Sequence, residues 1–104
     1  MTDREELRRS GQEIRHRLGL EDDTLSGLSP GFANLTDEIV FGRVWARAGL
    51  ELEDRMLATL SALTSVQYLD HLAVYTGAAL HMGMKPRLIQ EAMIHCAMYA
   101  GFPT

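Results

Sequence analysis

The chain has 104 residues, 46% of them hydrophobic, and a formal net charge of −4 at pH 7. That is enough for one domain with a thin core, and the mild acidity gives no electrostatic reason to expect nucleic acid. The lone cysteine, Cys96, excludes an intrachain disulfide and a CxxC redox pair, and no apolar run approaches the roughly 20 residues of a membrane span.

The N-terminus, "MTDREELRRS", is charged and has no apolar stretch of the signal-peptide kind, so a cytoplasmic protein with no membrane partner is expected. Thr2 and Glu5 stand in capping-box spacing and open a first helix. Leu7, Ile14 and Leu18 follow at helical spacing, and Gly19 is the expected C-terminal cap. Arg4, Arg8, Arg9, Arg15 and Arg17 are interleaved with Asp3, Glu5, Glu6 and Glu13, which reads as a solvated face laced with ion pairs. The segment "EDDTLSGLSPGF" is a connector with a turn at Pro30-Gly31. A second helix is expected from Asn34 or Thr36 to about Arg47, carrying Leu35, Ile39, Phe41, Val44 and Trp45. After the break "AGLELED", a third helix runs from about Glu53 to Val66 with Met56, Leu57, Leu60 and Leu63 on its buried face.

A fourth helix is expected over Gln67 to Met82, ending at Gly83, and a fifth starts at Pro86, a favoured first helical position. The fifth carries Leu88, Ile89, Ala92, Met93 and Cys96 as its apolar stripe. No strand pattern or internal repeat is present, so the fold class is all-α, a small helical bundle forming a single domain over residues 1–104. Such a short chain with apolar stripes on most helices is expected to complete its core as a homo-oligomer. On the fourth helix, Leu69, Leu72, Ala73, Thr76, Ala79 and Leu80 form the expected core side. Tyr68, His71, Tyr75 and Met82 share an adjacent face at spacings of three, four and seven, which stacks His71 against Tyr75.

These residues carry a family likeness. The stretch "FGRVWARAGLELEDRMLATLSAL" resembles the carboxymuconolactone decarboxylase family, whose members read G-x-V-W-x-R-x-G-L-x-x-x-x-R-x-L. "AALHMGMKPRLIQEAMIHCAMYAGFPT" is similar to the same family's A-L-x-x-G-x-x-x-x-x-I-x-E stretch closing on Y-A-G-x-P, and "GQEIRHRLG" is similar to a family N-terminal segment. The likeness covers roughly residues 11–104. It implies a bundle of the alkyl-hydroperoxidase-D-like type, assembled as a homotrimer or homohexamer. It also implies cofactor-independent decarboxylation of 4-carboxymuconolactone in aromatic catabolism. Family chains usually continue past G-x-P into one more helix, which the resemblance expects to be lacking here.

The family's CxxC thiol peroxidases are a poor match, since their cysteine positions correspond to Tyr68 and His71. The usual Glu/His pair of the decarboxylases corresponds to His71 and Tyr75. Loss of carbon dioxide leaves an enolate-like charge that needs a cation, a proton donor and dry walls rather than a metal. Arg47 and Arg55 stand at family arginine positions and suit a carboxylate substrate; surface pairing with Glu51, Glu53 or Asp54 is the plain alternative. His71 is the expected acid or base and Tyr75 the donor to the developing oxyanion. Each has a packing alternative, as do Trp45, expected as a site wall or as core, and His81, expected as site lining or as a helix cap. Glu91 and His95, at i and i+4, read as a buried structural pair, and Cys96 as an inert core thiol. Neither HxxxH nor CxxC is present, so no metal site is expected. The rival functions are a ligand-binding or assembly protein with a degraded site and, against the single cysteine, a thiol peroxidase.

Overall fold

The structure, a computed structural model, describes residues 3–20 and 30–100. Every element among them is helical: α1 (Arg4–Arg17), α2 (Pro30–Leu35) with a π-wound continuation (Thr36–Trp45), α3 (Leu52–Ser65), α4 (Leu69–His81) and α5 (Pro86–Ala100). The all-α class is therefore met. The chain forms two compact units, residues 1–50 and 51–104. No helix among the described residues is long and apolar enough to cross a membrane.

In the first unit, Asp3 caps α1: its carboxylate accepts from the Glu6 N–H at 2.8 Å. The N-cap is thus Asp3, one residue on from the expected Thr2 of a Thr2/Glu5 box, and Thr2 lies outside the described residues. An ionised acceptor at the positive pole of the helix explains why Asp3 serves. Gly19 ends the helix as expected. Its φ is +73°, with the Gly19 and Leu20 N–H groups donating back to the His16 and Arg15 carbonyls.

The connector's residues 21–29 lie outside the described residues, but Pro30 and Gly31 do not make the expected turn. They open α2, where proline at a first helical position forfeits no hydrogen bond. From Thr36 the winding loosens to i→i+5, closed by the Ala46 N–H donating to the Phe41 carbonyl at 2.9 Å. Asp37, Phe41, Gly42 and Trp45 face inward. A turn wider than about 3.6 residues selects that i, i+4, i+5, i+8 set. It leaves Leu35, Ile39 and Val44, expected on the stripe, exposed.

The π segment crosses α1 at glycines. A Cβ on Gly11 would collide with the Asp37 carbonyl, and one on Gly42 with the Leu7 carbonyl. Beside the crossing, Arg15 grips Asp37 through two hydrogen bonds, Nε to Oδ1 at 2.8 Å and Nη2 to Oδ2 at 3.3 Å, and donates from Nη1 to the Leu20 carbonyl at 3.2 Å. Asp37 is 3% exposed. So the arginines of α1 are not all a solvated face: Arg15 is an internal tie, while Arg4 pairs with Glu38 and Arg8 with Glu5 at the surface.

In the second unit, α3 packs on both α4 and α5. Met56 and Leu60 are fully buried as expected, each worth about 2 kcal/mol of burial; Leu57 and Leu63 are half-buried. The expected fourth helix begins two residues later than predicted. Gln67 sits at φ +59° in the turn, with the Tyr68 N–H donating to the Leu63 carbonyl at 2.9 Å, so α3 and α4 are separate helices.

The face of α4 is also rotated from expectation. Ala78 and Ala79 are buried and Leu72, Tyr75, Thr76 and Met82 half-buried, whereas Leu69, Ala73 and Leu80 are exposed. Alanines let the helices approach, and an almost uniformly apolar helix gives little contrast from which to read the inner face. Gly83, at φ +96°, caps α4, and α5 starts at Pro86 as read. On α5, Ile89 and Ala97 are buried, Ala92, Met93 and Cys96 half-buried, and Leu88 exposed. The closing "GFPT" lies outside the described residues.

Candidate functional site

The α3–α4 turn sets what stands at the head of α4. Tyr68 ends the turn and His71 lies in the first turn of the helix, their ring centroids 4.8 Å apart with planes at 61°. Tyr75 follows one turn further along the same side. His71 and Tyr68 are exposed, while Tyr75 is half-buried. The helix thus presents an imidazole, one phenol braced against it, and a second phenol running inward from it. Such a set can donate and accept protons at one face of an organic acid.

The expected cations are elsewhere. Arg55 is half-buried in the first turn of α3, with its Nε shielded from solvent. Its backbone carbonyl accepts from the Thr59 hydroxyl at 2.9 Å. Arg55 stands on α3, while His71 and Tyr75 stand on α4. His81 is the last residue of α4 and is exposed.

Trp45 and Arg47 belong to the first unit. Trp45 is buried, its ring 6.4 Å from that of Phe41 in a tilted contact. Arg47 is exposed just after the π segment, its N–H donating to the Val44 carbonyl at 3.2 Å. Within the second unit, then, His71 and Tyr75 stand one turn apart on α4 with Tyr68 against His71, Arg55 is on α3, and His81 ends α4.

The remaining polar residues of the second unit part company with their sequence reading. His95 is exposed, and its ring contacts Tyr99 at 5.0 Å instead of forming a buried pair with Glu91, which is exposed too. Cys96 is half-buried, its thiol donating to the Ser61 carbonyl at 3.9 Å. Sequence reading put Tyr68 on the His71 face but gave it no task. The aromatic spacing at i and i+3 was the available signal.

The described residues thus form an all-helical protein with a histidine–tyrosine face on one helix and a half-buried arginine on its neighbour. Residues 30–104 match the model of the carboxymuconolactone decarboxylase family, and the chain belongs to that family. It is 30% identical over 81 residues to a 4-carboxymuconolactone decarboxylase from Acinetobacter baylyi, an overlap of 78% of this chain and 60% of that protein. It is 34% identical over 70 residues to a nitrosuccinic acid decarboxylase from Metarhizium robertsii, an overlap of 67% of this chain and 49% of that protein. The chain thus matches about half to three fifths of the length of each relative.

Proposed function

We propose that the chain acts as a cofactor-independent decarboxylase of a small carboxylic acid, a carboxylated lactone of the 4-carboxymuconolactone type being the first candidate and aromatic catabolism its setting. The observation that carries this reading is the His71–Tyr75 face of α4, in a family whose two named relatives are both decarboxylases. The relatives' named substrates share a carboxylate and differ otherwise, so the reading commits to the reaction class before the substrate.

In this reading the bond from the carboxylate carbon to its neighbour breaks and carbon dioxide leaves. The electron pair delocalises into the acceptor conjugated with that carbon, the lactone carbonyl through the ring double bond or a nitro group, as an enolate-like anion. Tyr75 donates a hydrogen bond to that developing oxyanion, and the His71 imidazolium returns a proton to carbon. Arginine holds the substrate carboxylate bidentately: Arg55 is the candidate within the second unit, with His81 as lining. His71 is exposed in one chain, and a dry site requires a cover. Exposed Val66, Leu69, Ile94, Met98 and Tyr99 supply apolar surface for copies of the chain to pack together, which supports a homo-oligomer, with the homotrimer or homohexamer implied by the family resemblance as its form.

The test is carbon dioxide release from 4-carboxymuconolactone and from nitrosuccinate, with His71→Ala beside the parent. Release by the parent that is lost in a folded variant supports the reading; retained release in the variant removes His71 from the mechanism. The exposure of His71 favours a second reading, binding of an organic acid without turnover. Saturable binding of either acid with no release from the parent would select it.

A further inference from the structure

A cleft of about 470 Å³ opens in the second unit where the start of α5 meets the first turn of α3. Its lining is Glu53 from α3, Gly83, Met84 and Lys85 from the α4–α5 turn, and Arg87, Leu88 and Glu91 from α5. Gly83 is about 18 Å along α4 from His71, and none of His71, Tyr75, Arg55 and His81 lines the cleft. The cleft therefore lies away from His71 and Tyr75, next in sequence to Arg55 and His81 but lined by neither. Its volume is that of a small-molecule site.

Two features say what would fit. Met84, which is buried, and Leu88 give the cleft apolar surface. Around them stand two cations, Lys85 and Arg87, and two carboxylates, Glu53 and Glu91. Among the described residues none of the four side chains makes a hydrogen bond or an ion pair. A simple anion would meet the cations but be repelled by the carboxylates, and a simple cation the reverse. A molecule bearing both charges meets both sets, and the positive pole of α5, where Lys85 and Arg87 stand, fixes which end takes the anion.

We infer that this cleft binds a small zwitterion with a hydrocarbon side chain, of the class of the aliphatic α-amino acids. The ligand carboxylate lies at Lys85 and Arg87, its ammonium at Glu53 and Glu91, and its side chain on Met84 and Leu88. Charge pairs at an exposed cleft are weak one by one, so the affinity is on the order of millimolar.

The experiment is an NMR titration of the full chain with L-leucine, N-acetyl-leucine and leucinamide. Leucine should move the amide signals of residues 83–91 saturably. The N-acetyl compound, without the ammonium, and the amide, without the carboxylate, should each bind about tenfold more weakly. Arg87→Ala and Glu91→Gln change surface side chains and should keep the fold while weakening leucine by about fivefold or more. Four results would each overturn the inference: no saturable shift with leucine at about 50 mM, equal affinity for either derivative, unchanged affinity in both variants, or shifts confined to other parts of the chain. None of these outcomes depends on carbon dioxide release, so this inference and the proposed reaction stand or fall separately.

Discussion

The Tyr68 ring braces the His71 imidazole in an edge-to-face contact, centroids 4.8 Å apart, at the first turn of α4. A general acid must be held where its proton is needed, and an exposed histidine has few other restraints. If His71 delivers the proton in the proposed decarboxylation, His71→Gln should lower kcat by about 100-fold or more while leaving thermal unfolding unchanged. Tyr68→Phe keeps the ring and should leave kcat nearly intact. Tyr68→Ala frees the imidazole and should lower kcat severalfold with little change in KM. Equal rates in Tyr68→Ala and the parent would show that the contact does no catalytic work.

A second relationship concerns backbone rather than chemistry. At Gly11 and Gly42 the main chains of α1 and the π segment touch, with carbonyls of Asp37 and Leu7 where a methyl group would go. Backbone cannot step aside as a flexible side chain can. Gly11→Ala and Gly42→Ala should each cost about 3 kcal/mol in chemical denaturation. Gly77, in α4, has no atom within 4 Å of a built Cβ. There Gly77→Ala should instead stabilise the chain by about 1 kcal/mol. The opposite signs at three helical glycines distinguish close packing from helix propensity.

Much of the helical frame was legible in the sequence. Gly19, Gly83 and Pro86 punctuate it by the backbone angles they allow, and Met56 and Leu60 lie on a stripe that a straight α-helix preserves. The family motifs were legible for the same reason, being runs of adjacent residues. The π winding was not. It has no composition of its own, and it turned the α-helical stripe of Leu35, Ile39 and Val44 outward while burying Asp37 and Gly42. The inner face of α4 was hidden because apolar residues surround that helix. Of the candidate site, the His71–Tyr75 spacing was readable from helix geometry. Where that pair stands relative to Arg55 depends on how α4 packs on α3, which spacing along one helix does not report.

The Arg15–Asp37 pair shows the same limit, since its partners stand 22 residues apart. Removing one member of a buried pair strands the other. Asp37→Ala should cost about 3–5 kcal/mol, whereas replacing both residues with apolar ones, Arg15→Met with Asp37→Leu, should recover most of that loss. A double-mutant cycle by denaturant unfolding measures the coupling. Additive single effects would mean that the pair contributes nothing beyond packing.

At the surface of α1, Arg8 hydrogen-bonds to Glu5 and, with the nearby Arg8 and Arg9 charges, holds the Glu5 carboxyl below its ordinary value of 4.5 despite some opposing desolvation; the same bond raises Arg8. A carboxyl lowered by folding binds its proton more readily when unfolded. Its contribution to stability is therefore fully present above the ordinary carboxylate value and fades as pH falls through it towards the lowered one. Both side chains are solvent-facing, so the contribution is small and screened by salt. Stability of the parent measured from pH 6 down to pH 3, set against Glu5→Gln, should show a difference at the upper end that shrinks as Glu5 is protonated, and 1 M salt should flatten it. A difference that grows on acidification would reverse the sign and exclude this pair as its source.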